Sequence, residues 1–132
     1  PLLIKPNVDD LAKMFGKESF NDEDEIIKYG LETIDMGAQN AIVSLGAQGS
    51  YLFTSKKEVF KSPGIKGKVI NTFSSRDAMI GAFIGYYMKK LDPIESFKMA
   101  AASASATAFV EDIAEKDFIY EIFEKTKIRK IK

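Results

Sequence analysis

Apolar and polar positions fall into blocks along this chain, some with the unbroken runs of buried strands and others with the three-to-four spacing of amphipathic helices. Leu2-Leu3-Ile4 reads as a buried strand. It stops at Lys5-Pro6-Asn7, because Pro6 has no ladder donor and pushes Lys5 away from helical geometry. Asn7 is a good N-cap for a short helix over Val8 to Phe15, which Gly16 ends. Asn21 or Asp22 begins a second helix, with acids at 22 to 25 facing the positive end of its dipole. Ile26, Ile27, Leu31 and Ile34 form its apolar stripe, and Gly37 closes it. Three strands follow, Ala41 to Leu45, Ser50 to Thr54 and Val59 to Lys61, separated by the glycine turn Gly46-Ala47-Gln48-Gly49 and the polar turn Ser55 to Glu58. A further strand, Lys68 to Asn71, leads into the loop Thr72 to Arg76.

The pattern then turns helical. Asp77 opens a helix through Leu91, with Met79, Ile80, Phe83, Ile84, Tyr87 and Met88 as its apolar members and small Gly81, Ala82 and Gly85 between them. Asp92-Pro93 supplies an N-cap and a proline at the first helical position, starting an Ala-rich helix that runs to Ala108. A last helix covers about Glu115 to Lys125, with the stripe Phe118, Ile119, Ile122 and Phe123. Lys127 to Lys132 alternates basic and apolar residues, as a short edge strand or a frayed tail would. The order predicts α/β layering with one antiparallel hairpin and no internal repeat. The small residues of the Ala-rich helix fit either a tightly packed core or a wall that lets a flat ligand come close.

Composition narrows the chemistry. The 132 residues carry a net charge of +0, with 45% hydrophobic and 29% charged residues, a globular balance suited to a single domain over 1–132. Neither cysteine nor histidine occurs, which removes thiolate chemistry, disulfides, Ser-His-Asp catalysis and imidazole metal sites. A general base must then be a carboxylate, lysine or tyrosine. Nineteen basic residues balance nineteen acidic ones, so no bulk field draws the chain to nucleic acid or to a membrane surface. The basic tail has no interleaved aromatic for stacking on bases. No apolar run reaches the roughly 18 residues of a spanning helix. The first residues do not resemble a signal peptide, so a cytoplasmic location is expected, and the missing initial Met suggests a chain cut from something longer.

The segment Asn71-Thr72-Phe73-Ser74-Ser75-Arg76-Asp77 carries the most chemical information. A strand ends, a small polar loop follows, and a long apolar helix starts at an acid. A helix N-terminus offers unpaired N–H groups and a partial positive charge, which suit a phosphate, and a carboxylate placed there can act as a base. On the residues alone, Asp77 can equally be a simple cap and the serines simple loop.

Asn71 to Phe83 resembles the Asn-Thr-x-Gly-Ala-Gly-Asp signature of the PfkB family of sugar kinases, which have the ribokinase-like fold. Three other stretches agree in order with the 1-phosphofructokinases and tagatose-6-phosphate kinases of that family: Lys5-Pro6-Asn7 with Leu11, Val43-Ser44-Leu45-Gly46-Ala47-Gln48-Gly49, and Ala101 to Phe109 with Glu111-Asp112. The resemblance covers nearly the whole chain and maps onto the C-terminal, nucleotide-binding half alone. It implies a layered α/β/α fold with a mixed sheet, and transfer of the ATP γ-phosphoryl group to a hydroxyl of fructose 1-phosphate or tagatose 6-phosphate. Asp77 would be the base, and Ser74, Ser75 and Arg76 the anion hole. Lys5 and Asn7 would approach the ATP phosphates and the water shell of Mg²⁺. Ser44, Gly46 and Gly49 would line the nucleotide channel, Thr72 would sit beside the phosphates, and Ala101 and Ser105 would wall the adenine pocket. No protein-built metal site is expected, since Mg²⁺ would be held through phosphates and water, and a monovalent cation near Asn71 and Thr107 is implied by the resemblance only.

Two departures shape the expectation. Gly-Ala-Gly is replaced by Ser74-Ser75-Arg76, which removes glycine's freedom at positive φ and adds a bulky side chain directly before the base. The alternative reading is therefore a catalytically impaired nucleotide-binding or interaction module. The family's N-terminal sugar-binding half and lid have no counterpart in the chain, so that half or a second copy is the expected partner.

Overall fold

The computed structural model describes residues 2–45, 48–63, 73–108 and 116–132; the side chains of residues 73–77, 108 and 116 lie outside that description. The chain forms two compact units, one from Pro1–Lys61 with Arg129–Lys132 and one from Ser62–Ile128.

The first unit is α/β. Its helices α1 (Val8–Met14) and α2 (Glu23–Asp35) precede strands β1 (Asn40–Ser44), β2 (Ser50–Thr54) and β3 (Val59–Ser62), and β4 (Arg129–Lys130) adds the far edge. The sheet order is β1-β2-β3-β4, with β1–β2 and β3–β4 antiparallel. The N-terminal segment makes parallel bridges to β1 at Ile4–Ala41 and Asn7–Ser44, which makes the arrangement mixed, as expected. Ala41 and Val43 of β1, Tyr51 and Phe53 of β2 and Val59 of β3 share one face, where they pack with Leu11 of α1 and Ile27 of α2. Ile42, Leu52 and Phe60 are buried on the opposite face. Two-sided burial explains why these strands read as continuous apolar runs and not as alternating ones.

The helix boundaries follow their caps. Asn7 accepts from the Asp10 N–H at 2.7 Å and Asp22 from the Glu25 N–H at 3.0 Å. Gly16 (φ +72°) follows α1 and Gly37 (φ +116°) follows α2, in the left-handed region. Between them, Gly30 lets α2 sit directly on the Phe53 ring, because a Cβ at that position would fall well inside contact with three ring atoms.

The second unit is helical: α3 (Phe73–Lys90), α4 (Pro93–Ala108) and α5 (Lys116–Lys125). Asp92 caps α4 through the N–H groups of Ile94 and Glu95, with proline at the first helical position. Ala102 and Ala106 of α4 bury against Ile122 of α5, with Phe118, Ile119 and Phe123 around them. The small residues of α4 therefore serve at least this close packing. Met79 and Phe83 of α3 are buried, whereas Ile80, Ile84 and Met88 of the expected stripe are exposed, Met88 at 68%.

One boundary corrects the sequence reading. Helix α3 opens at Phe73 and not at Asp77, so Ser74, Ser75 and Arg76 form its first turn and are not a loop. Glycine costs about 1 kcal/mol in a helix relative to alanine, while serine and arginine cost less, so replacing Gly-Ala-Gly by Ser-Ser-Arg favours propagation toward the N-terminus. The expected strand at Lys68 to Asn71 lies outside the described residues, while the C-terminal edge strand is present as β4.

Candidate functional site

Four of the nucleotide-site candidates meet in the first unit. The Pro6 carbonyl accepts from the Ser44 N–H at 3.2 Å, and Asn7 bridges Ser44, so Lys5, Asn7 and Ser44 lie at the carboxyl ends of two neighbouring parallel segments. Open α/β sheets hold their ligands at such ends, where strand carbonyls stop and helix N-termini begin. The turn that follows is closed by the Leu45 N–H donating to the Gly49 carbonyl at 2.8 Å and by the pairing of Ser44 with Ser50. Gly49 has φ +105°, a conformation L side chains rarely adopt, which is the physical reason for glycine here. Gly46 lies outside the described residues.

Asn7 has a local task as well. Its side-chain oxygen caps α1 on the Asp10 N–H, which leaves the amide NH₂ as the part that can face a ligand. A donor at that position suits a phosphate oxygen.

In the second unit, Asp77 follows the first turn of α3, and no acid lies in that turn. Helical bonding from Phe73 onward uses the N–H of Asp77 within the helix. Thr72 and Asn71 lie outside the described residues, as does the segment with Phe109, Glu111 and Asp112. Ala101 and Ser105 lie one turn apart on α4, Ala101 buried and Ser105 half-buried, and Thr107 is fully buried. Among the described residues no group of three or more acids is placed to hold a metal ion.

One cluster beside the turn escaped the sequence reading. The Tyr51 hydroxyl of β2 donates to the Glu23 carboxylate at the start of α2. Lys61 of β3 donates to the same oxygen at 3.3 Å, and its Nζ lies 5.1 Å from the centre of the Tyr51 ring. The Tyr51 hydrogen bond, aided by Lys61, holds the Glu23 carboxyl below its usual range. Burial, then the hydrogen bond to Glu23 and its charge, pushes the Tyr51 phenol up. The cluster ties α2 to β2 directly after the Gly49 turn. Its members are too far apart in sequence for any local spacing to announce them.

The first unit, with its parallel bridges beside β1 and a left-handed glycine turn after it, has the build of an α/β protein. Comparison with known proteins makes this specific: the chain belongs to the pfkB family of carbohydrate kinases, whose family model matches residues 1–115. It is 31% identical over 131 residues to the 1-phosphofructokinase of Bacillus subtilis, covering 99% of this chain and 43% of that protein. It is 36% identical over 115 residues to the D-tagatose-1-phosphate kinase of Bacillus licheniformis, covering 87% of this chain and 38% of that one. A solved Staphylococcus aureus structure provisionally assigned as a phosphofructokinase superposes with a TM-score of 0.91 at 37% identity, covering 99% of this chain and 42% of that one. Arabidopsis thaliana ribokinase, solved with ribose and ATP, shares the fold with a TM-score of 0.79 at 20% identity. The chain thus spans roughly two-fifths of the length of the curated relatives it matches. Among the described residues no helix is long and apolar enough to cross a membrane.

Proposed function

We propose that this chain is the nucleotide-binding part of a kinase that transfers the γ-phosphoryl group of ATP to a hydroxyl of a ketose phosphate. The observation that carries the proposal is the gathering of Lys5, Asn7, Ser44 and Gly49 at the carboxyl ends of the parallel pair. Lys5 and the Asn7 amide would hold phosphate oxygens, and Ser44 and Gly49 would line the nucleotide channel with Gly46. Thr72 and the amides of Ser74, Ser75 and Arg76 would face the transferring group, with Asp77 as the base and Ala101 and Ser105 beside the adenine. Magnesium would reach the site on the phosphates and offset their charge. Both curated relatives named above are ketose 1-phosphate enzymes by name, which favours fructose 1-phosphate or tagatose 1-phosphate as acceptor over the tagatose 6-phosphate suggested by resemblance.

The extension of α3 through Ser74 to Arg76 favours a second reading, a module that binds nucleotide but turns it over poorly. Helical bonding withdraws the amides nearest Asp77, and loss of one such donor costs on the order of 10²–10³ in rate.

Two measurements separate these readings. Millimolar Mg-ATP raises the unfolding midpoint of the chain under both, as a ligand bound only to the native state must; an unchanged midpoint refutes both. Coupled ADP release dependent on fructose 1-phosphate, with the remainder of a relative supplied, supports the kinase. That turnover then collapses in Asp77→Asn while the ATP-induced shift persists. Turnover intact in Asp77→Asn removes the assigned base.

A further inference from the structure

We propose that Glu23, Tyr51 and Lys61 position the turn between Ser44 and Gly49, so that the hydrogen bond from Tyr51 to Glu23 sets how tightly that turn holds its ligand. The inference rests on the reading of this turn as part of a nucleotide channel, and deepens it.

The turn has two flanks. On one, β1 is fixed by the N-terminal segment through the parallel bridges Ile4–Ala41 and Asn7–Ser44. On the other, β2 leaves the turn as Ser50 and Tyr51, opposite Ser44 and Val43. The turn is closed by the Leu45 N–H on the Gly49 carbonyl at 2.8 Å and the Gln48 N–H on the Leu45 carbonyl at 3.4 Å. Gly49, at φ +105°, has no side chain with which to hold its place. Its position is therefore inherited from β2, and the first large side chain of β2 is Tyr51.

Tyr51 is 1% exposed, within the apolar face that also holds Val43, Phe53 and Val59. Phenylalanine would fill that space, and burying a hydroxyl there costs free energy unless it is paired. The hydroxyl is paired with a carboxylate: it donates to Glu23, on which Lys61 also converges at 3.3 Å. A hydrogen bond to a charged acceptor is about twice as strong as a neutral one. Arg129, opposite Lys61 in the β3–β4 pairing, adds positive charge that favours the ionised acceptor. Glu23 opens α2 beside its N-cap Asp22, whose bond to the Glu25 N–H at 3.0 Å gives the acceptor a fixed base. Three elements, α2, β2 and β3, thus meet directly beside the turn.

The test compares the parent chain with Tyr51→Phe, Glu23→Ala and Glu23→Gln. It reads Mg-ATP affinity by calorimetric titration, and amide exchange residue by residue. Two amides report: Leu45 in the turn, and Thr54 at the far end of β2, which donates to the Glu58 carbonyl at 3.1 Å. Tyr51→Phe and Glu23→Ala should speed exchange at Leu45 about fivefold to tenfold more than at Thr54, the scale of one lost hydrogen bond, and weaken Mg-ATP by a similar factor. Glu23→Gln keeps an acceptor for the hydroxyl and should restore most of both. The Glu23 side chain is 45% exposed, so Glu23→Ala carries the test if Tyr51→Phe disturbs folding. A role in stability alone would speed the two amides alike and leave the affinity of the folded chain unchanged. Equal acceleration overturns the proposal, as does a selectively loosened turn that binds Mg-ATP like the parent. A Glu23→Gln variant no better than Glu23→Ala overturns it too. A parent chain that does not bind Mg-ATP refutes the nucleotide reading instead, and the contrast between Leu45 and Thr54 then still decides whether the cluster holds the turn.

Discussion

Gly30→Ala sets two known effects against each other at one atom. Removing glycine from a helix interior should gain about 1 kcal/mol through the backbone. The added methyl group, however, lands on the Phe53 ring, which is fully buried on β2 with its centre 6.2 Å from that of Tyr51. A ring has no flexible end to swing aside, so either α2 lifts or the ring leaves its rotamer, at about 1–3 kcal/mol. Three ring atoms are struck and not one, which puts the cost at the upper end, and the expected net loss is about 1–2 kcal/mol. For a chain of this size that lowers the thermal midpoint by roughly 3–8 °C. Urea unfolding followed by circular dichroism, with amide exchange across the β1–β2 ladder, checks it. In a Phe53→Leu background the clash is relieved, so the same substitution should there cost less than about 0.5 kcal/mol or stabilise, giving a coupling of at least about 0.5 kcal/mol. A single variant as stable as the parent, or no coupling to Phe53, would refute the close-packing argument.

Other outcomes follow from the caps and the charged cluster. Asn7→Ala should cost about 1 kcal/mol by uncapping α1, whereas Asn7→Asp keeps the cap; both should weaken Mg-ATP binding by titration if the amide NH₂ faces phosphate. The folded-state pKa of Glu23 is depressed, so its contribution is present above the unfolded value near 4.5 and is lost as pH falls through the folded one. Tyr51 is raised, so its contribution is present below the unfolded value near 10 and fades as pH rises above it. Unfolding midpoints across pH should therefore fall at both ends, and Tyr51→Phe should flatten the alkaline limb.

Much of the fold was legible because its signals are local. Asn7, Asp22 and Asp92 announce their helices through the side-chain oxygen each presents, and Gly16 and Gly37 mark ends through the backbone conformation they permit. The strands announced themselves as apolar runs because both faces are buried. What was illegible depends on distance or competition. The start of α3 differs from the expected one because small polar residues before an acid read as a loop and its cap, whereas Ser74, Ser75 and Arg76 continue the helix. Ile80, Ile84 and Met88 have helical spacing with Met79 and Phe83, yet periodicity cannot say which part of a broad stripe finds a neighbour. The Glu23–Tyr51–Lys61 cluster exists only after three separate elements meet. For the candidate site, the family resemblance of their motifs brought Lys5, Asn7, Ser44 and Gly49 to notice, and the parallel bridges bring Asn7 beside Ser44.

The bridge between Ile4 and Ala41 joins segments separated by the whole α1–α2 crossover, while β1 and β2 are joined by a tight turn. Closing the long loop costs more chain entropy than closing the short one, so the hairpin can nucleate early and the N-terminal segment must zip on afterwards. Refolding of the first unit should thus be biphasic, with Lys5 and Asn7 arriving beside Ser44 only in the slower phase.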